Sequence, residues 1–189
     1  MQAQLLNYDD YLRHTDGTDT RYELVQGRLV EMKQPTTGHL RITKFLERKF
    51  DVEIGLSGLP WEAFREAGQR TSAGVRLPDV VVVPLKAVNA LIDQPIVFKA
   101  PALLVVEVVS TSTWRDDHVE KLKEYEAIGV PEYWVVDYLA VGVNRCVDNL
   151  QLPTVSIYQL VDGAYQLKQF RGEQMVESPT LKVGDSTIC

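Results

Sequence analysis

Leu77-Pro78-Asp79-Val80-Val81-Val82-Val83 and Leu103-Leu104-Val105-Val106-Glu107-Val108-Val109-Ser110 are the stretches on which the fold turns. Each is an apolar, β-branched run carrying one acid. A carboxylate in such a run costs several kcal/mol unless something pairs with it. Ala102 to Val109 has the continuous apolar character of a strand buried on both faces. Side-chain alternation puts Glu107 on the face of Val105 and Val109. Thr113, with Asp116 three residues on, is a variant capping box that opens a helix running to about Ile128. Gly129 stops that helix, Pro131 prevents its resumption, and Glu132 to Asp137 reads as the next strand. Ala102 to Asp137 is therefore a β-α-β unit, which implies a right-handed parallel crossover.

Outward from this unit, Tyr8 to His14 reads as a short helix. Tyr22 to Val25 and Arg28 to Val30 flank Gln26-Gly27, a two-residue hairpin turn. Thr37 to Ile54 has helical spacing, with Ile42, Phe45, Leu46 and Phe50 as its apolar face. Arg41, Lys44 and Arg48 form a basic stripe on the other face. It reads either as solvated surface or as a set of phosphate contacts. Trp61 to Gly68 and Gly74 to Val83 read as strands, with Pro78 marking an edge or a bulge in the second. Pro84 to Pro101 is a long connection with a short helix at Leu85 to Leu91. Toward the C-terminus, Val141 to Val147, Thr154 to Leu160 and Ala164 to Phe170 read as strands, and Asp162-Gly163 turns the last two into a hairpin. The segment Leu139 to Pro153 is long for an inter-strand connection. These elements predict one α/β domain over residues 1–189, a mixed β-sheet flanked by helices with an antiparallel extension.

The 189 residues suffice for one sizeable core. No apolar run approaches the ~20 residues of a membrane span, and the first residues lack a secretory pattern. Cys146 and Cys189 are too few for a disulfide framework, so a cytoplasmic setting is expected. A net charge of -6 argues against a broad basic nucleic-acid surface but leaves room for a local basic groove around an acidic site.

Asp79 and Glu107 carry the chemistry. If their strands are neighbours, both carboxylates reach one hard cation, and Mg²⁺ needs only one or two carboxylates with further oxygens. Lys121 aligns with Asp117 and Tyr125 at i-4 and i+4, and a lysine beside such a cation would orient water or offset developing negative charge. Glu23, in the first hairpin, would add a third carboxylate. Each residue also has an ordinary reading. Asp79 would cap a strand after Pro78, Glu107 would pair with a Lys or Arg, and Lys121 would pair with Asp117 on an exposed helix face. His14, His39 and His118 read as surface histidines.

Taken together, the motifs resemble a known family. The motifs are Arg76 to Val83, Glu107-Val108-Val109-Ser110, Lys121-x-x-x-Tyr125 and Gly129-Val130-Pro131-Glu132-Tyr133-Trp134-Val135-Val136-Asp137. With Tyr22-Glu23-Leu24-Val25-x-Gly27 and Ser178-Pro179, they resemble the Uma-two family of the restriction-endonuclease-like, PD-(D/E)XK superfamily, from about Tyr8 to about Leu181. The resemblance implies a restriction-endonuclease-like core with Mg²⁺ or Mn²⁺ as cofactor. It makes Asp79, Glu107 and the Val108 carbonyl the metal ligands, and Glu23 an auxiliary acid. The superfamily pattern has Lys two residues after the acid. Here that position is Val109, and Lys121 is the candidate replacement. Thr111 stands where relatives usually carry Pro.

The expectation is a metal-dependent endonuclease that hydrolyses DNA phosphodiester bonds, with Glu23, Asp79, Glu107 and Lys121 as its catalytic set and a homodimer as its assembly. The rival is a non-catalytic nucleic-acid-binding or homodimeric interaction protein that keeps the nuclease fold.

Overall fold

The computed structural model describes residues 5–110, 116–141 and 152–181. Helix α1 (Tyr8–Arg13) is capped by Asn7 and Asp10, each side chain bonding the other's backbone amide. Strands β1 (Tyr22–Val25) and β2 (Arg28–Glu31) form the first hairpin. Gln26 and Gly27 both have positive φ, the conformation that a tight primed turn requires. The long helix α2 (Thr37–Ser57) starts at its cap Thr36 and stops at Gly58, which is left-handed.

Next come β3 (Trp61–Arg65), β4 (Gly68–Arg70), β5 (Gly74–Arg76) and β6 (Val80–Pro84). The expected single strand over Gly74 to Val83 is thus two strands. Pro78 has no amide to donate, and the chain leaves one sheet and enters another across Leu77-Pro78-Asp79. The trace continues through α3 (Leu85–Asn89), β7 (Val97–Phe98) and β8 (Leu104–Val108). A π-helical turn, Asp116–Glu120, leads into α4 (Lys121–Ile128), which ends at left-handed Gly129. Strands β9 (Glu132–Asp137), β10 (Thr154–Val161) and β11 (Ala164–Arg171) complete the described chain. The capping box expected at Thr113, the Thr111 position and most of the strand expected over Val141 to Val147 lie outside the described residues.

There are two sheets rather than one. The smaller has the order β2-β1-β5-β4-β7 and the larger the order β11-β10-β9-β8-β6-β3. In the larger sheet β8 and β9 are parallel, as the β-α-β reading requires, and the β10–β11 hairpin is the antiparallel extension. Both faces of its centre are covered. On one side Leu46, Phe50 and Ile54 of α2 pack on Val80, Val82, Leu104, Val106 and Trp134. On the other, Tyr125 and Val130 pack on Val81, Val83, Val105, Val109 and Tyr133. Double-sided burial explains why these strands are runs of valine rather than alternating patterns. Phe45, expected in the core, is 48% exposed, because α2 buries the narrower stripe through Leu46 and Phe50.

The Ser178 motif closes the far end of the large sheet. The Ser178 hydroxyl and the Thr180 amide donate to one oxygen of buried Glu132, and the Trp134 indole donates to the other. No described helix is long and apolar enough to cross a membrane.

Candidate active site

Strands β6 and β8 are antiparallel neighbours, and Val80 pairs with Val106. Asp79 and Glu107 are the next residues along each chain from that pair. The acids of the two valine runs therefore lie at the same end of the central strands. The Val108 amide donates to Asp79 Oδ2 at 2.6 Å, which ties Asp79 to the residue after Glu107. Oδ1 of Asp79 takes no hydrogen bond from any described residue.

Glu107 lies deeper, with its side chain 4% exposed. Tyr125 donates to its Oε1 at 2.9 Å, and the Lys121 ammonium stands 2.9 Å from its Oε2. Lys121 is equally buried and also faces Asp117 Oδ1 at 3.1 Å and Glu23 Oε1 at 3.7 Å. The π-helical turn and α4 set Asp117, Lys121 and Tyr125 on one helix face over the sheet, so the lysine enters from the helix rather than from the Val109 position. Val109 itself is fully buried among the apolar side chains of that face.

Glu23 reaches the site from the small sheet. Its Oε1 accepts from the Leu77 amide at 3.0 Å, and its Oε2 meets Arg76 at 2.9 Å. Arg76 was only part of a motif in the sequence, yet it is the hub that joins the small sheet to the π-helical turn and α4. Its guanidinium forks onto both oxygens of Glu124, reaches Asp116 at 3.2 Å and holds Glu23. Thr71 adds a hydrogen bond to Glu124. Such planar, two-pronged pairing is specific to Arg.

Acids outnumber bases in this interior. Burial pushes the Glu107 carboxyl well above the usual carboxylate range, against the pull of Lys121, and the charges of Asp117, Asp79 and Glu23 push the same way. Burial opposes the charge on Lys121, but Glu107, Asp117 and Glu23 outweigh it and hold the ammonium protonated. Oδ1 of Asp117 is buried and lacks a well-formed hydrogen bond. Crowded, under-neutralised carboxylates with a backbone carbonyl nearby are oxygen donors of the kind a hard divalent cation takes. Among the described residues, no group of three or more His, Cys, Asp or Glu side chains is placed to hold a metal ion. The donor chemistry fits such an ion, with Asp79, Glu107 and the Val108 carbonyl as the residues that would hold it.

His39 is the site residue that sequence reasoning missed. Its Nε2 lies 3.1 Å from Asp79 Oδ2, and its side chain is only 17% exposed. The Thr36 hydroxyl accepts from the His39 amide and so fixes the first turn of α2 here. Burial lowers the His39 pKa, but the hydrogen bond and charge of Asp79 and the facing Val108 carbonyl raise it further, so the net shift is upward. The basic stripe does not join this group. Arg41, Lys44 and Arg48 are exposed, and helical periodicity puts them roughly on the opposite side of α2 from His39.

A central mixed sheet flanked by helices is the restriction-endonuclease-like architecture. The chain belongs to the Uma2 (Uma-two) family, whose profile is described as "Putative restriction endonuclease" and matches residues 8–187. Among solved structures, the fold is similar to one described as "a putative nuclease belonging to DUF820 from Anabaena variabilis ATCC 29413". That likeness has a TM-score of 0.71 at 15% identity and covers 93% of this chain and 90% of the other. No functionally curated protein matches the chain.

Proposed function

We propose that this chain is a divalent-metal-dependent endonuclease acting on DNA. The observation that carries the reading is that Asp79 and Glu107 lie at the same end of adjacent strands, with Lys121 paired to Glu107 from the following helix. Asp79, Glu107 and the Val108 carbonyl hold the ion, Mg²⁺ or Mn²⁺. The ion supplies charge neutralisation at the scissile phosphate and a nucleophilic water at neutral pH. Lys121 offsets the negative charge that develops on the phosphate and orients the attacking water, the work that Val109 has no group to do. Glu23 holds Lys121 and Arg76 in place. Two copies of the chain, each addressing one strand, suit a duplex substrate.

The test is cleavage of plasmid DNA by purified protein with Mg²⁺ or Mn²⁺, beside Asp79→Asn and Glu107→Gln. Metal-dependent cleavage lost in both variants is the expected result. A wild type that cleaves neither duplex nor single-stranded nucleic acid sinks the reading.

One observation favours a second reading. Both Glu107 oxygens are already engaged, by Tyr125 and by Lys121. A non-catalytic nucleic-acid-binding or homodimeric interaction protein would keep the pair as a structural ion bridge. It would bind DNA or itself without metal-dependent cleavage.

A further inference from the structure

Beside the candidate site is a cleft that plays no part in the reading above. It is walled by α1 and the chain from there to Tyr22, by Glu66, by Leu77 and by the start of β7, and it encloses ≈ 310 Å³. Its place follows from the register of the large sheet. Arg65 pairs with Val80 where β3 meets β6, and Val80 pairs with Val106 where β6 meets β8. Glu66, Asp79 and Glu107 are the next residues along their chains, so all three lie at one end of three neighbouring strands. Leu77, in the cleft wall, is two residues from Asp79, a span of at most about 7 Å. Its amide holds Glu23, and Tyr22, in the same wall, precedes Glu23.

The walls are aromatic and hydroxylated. Tyr11, His14 and Tyr22 line the cleft, with the His14 ring edge-on to Tyr22 at 5.5 Å. The Tyr11 hydroxyl donates to the Tyr22 carbonyl and ties α1 to β1. Glu66 has φ +64, a left-handed conformation that is unfavourable for a residue with a side chain and that recurs at ligand sites. Its carboxylate meets Arg21, another wall residue, at 3.0 Å.

Charge decides what such a cleft takes. Glu66 offsets Arg21, whereas the Thr18 and Tyr22 hydroxyls donate to Asp16 and hold its carboxyl at about 2, so it is charged at neutral pH. Two acids against one arginine repel a phosphate. A planar, uncharged group with polar edges stacks on these rings and bonds these hydroxyls, and a nucleobase is such a group. The volume is at the lower end for small-ligand sites, so it suits one base rather than a run of them.

We propose that this cleft receives one unstacked base of the nucleic-acid substrate, next to the phosphate held at Asp79. The proposal rests on the reading of Asp79 and Glu107 as the phosphodiesterase site. The short span from Leu77 to Asp79 lets neighbouring parts of one nucleotide strand reach both places. A base paired inside a duplex cannot enter the cleft, so the substrate is single-stranded, or opened, at the point of cleavage.

The probe is a single-stranded DNA oligonucleotide carrying one iodouracil, bound to the full chain in EDTA so that cleavage does not intervene. Irradiation joins iodouracil to an aromatic ring on which it stacks, and peptide mass spectrometry locates the bond. The expected result is a crosslink between Tyr11 and Tyr22, weaker when the same base is paired in a duplex. His14→Ala, at an exposed position, and Tyr22→Ala should each lower single-strand affinity by about fivefold or more, the low end of what one base–aromatic stack is worth. Fluorescence anisotropy measures the affinity. If Tyr22→Ala does not fold, His14→Ala and the crosslink map decide. Free iododeoxyuridine monophosphate that crosslinks as well as the strand does would make the ligand a mononucleotide and overturn the substrate-base assignment. Crosslinks confined to other parts of the chain, with affinity unchanged in His14→Ala, overturn the proposal, and metal-dependent cleavage by the same preparation leaves the endonuclease reading standing. Crosslinks in the cleft of a protein that does not cleave uphold the cleft and overturn only the catalytic reading. No binding to nucleic acid overturns both.

Discussion

The Lys121 ammonium stands 2.9 Å from the Glu107 carboxylate, and both side chains are sealed from solvent. This pair joins α4 to the centre of the large sheet at its acidic end. It is also under-neutralised, because Asp117 and Glu23 face the same ammonium. A lysine so placed holds several carboxylates together, and its removal should be felt in both stability and chemistry.

Lys121→Met should destabilise the fold by about 3–5 kcal/mol, the usual cost of leaving a buried charge without its partner. Adding Glu107→Gln should recover part of the loss, while Asp117 and Glu23 keep the rest. Urea unfolding of the two variants and the wild type measures the difference. A loss below about 1 kcal/mol would mean that the pair is accessible to water.

The same lysine should separate binding from catalysis. At temperatures where the variant is folded, Lys121→Ala should keep Mn²⁺ binding, or tighten it, since a positive charge beside the ion is gone. Its cleavage rate should fall about 10²-fold or more, the scale for losing one electrostatic stabiliser. Calorimetry and plasmid cleavage on one preparation check both. Full cleavage by Lys121→Ala would remove the lysine from the mechanism.

Glu23 should shape the acid limb of stability. Burial opposes its charge, but Lys121, Arg76 and the Leu77 amide outweigh burial and hold the carboxyl below its ordinary 4.5. A folded value below the unfolded one adds stability that is fully present above 4.5 and is lost as pH falls through the folded value. Glu23→Gln should therefore flatten the decline in melting temperature below pH 4.5 and leave the slope above it unchanged. An identical acid limb in the variant would contradict the assignment.

Gly74 should resist substitution where Gly163 tolerates it. Gly74 has φ +149, and a Cβ there would lie 2.0 Å from the Leu24 carbonyl oxygen, beside the strand that carries Glu23. Gly74→Ala should cost at least about 3 kcal/mol. Gly163 has φ +83 with nothing within 4 Å of an added Cβ, so Gly163→Ala should cost only about 1–2 kcal/mol. Thermal denaturation of both variants provides the comparison.

Local chemistry determined a good deal of this protein. The valine runs specify strands buried on both sides, Gly129 ends α4, and Gln26-Gly27 and Asp162-Gly163 make their hairpins, because each depends on neighbours a few residues away. An acid inside a valine run is conspicuous for the same reason, so Asp79 and Glu107 stand out before any coordinates. What only the tertiary structure decided depends on which elements meet. Pro78 could be read as an edge or a bulge, but not as the crossing from a small sheet to a large one. Arg76 finds Glu124 and Glu23 at separations of 48 and 53 residues, and nothing near it in the chain announces them. His39 looked like a surface histidine because a residue in the first turn of a helix carries no local sign of what that helix end faces. It faces Asp79, 40 residues away, because packing Leu46 and Phe50 of α2 on the sheet fixes where the helix begins.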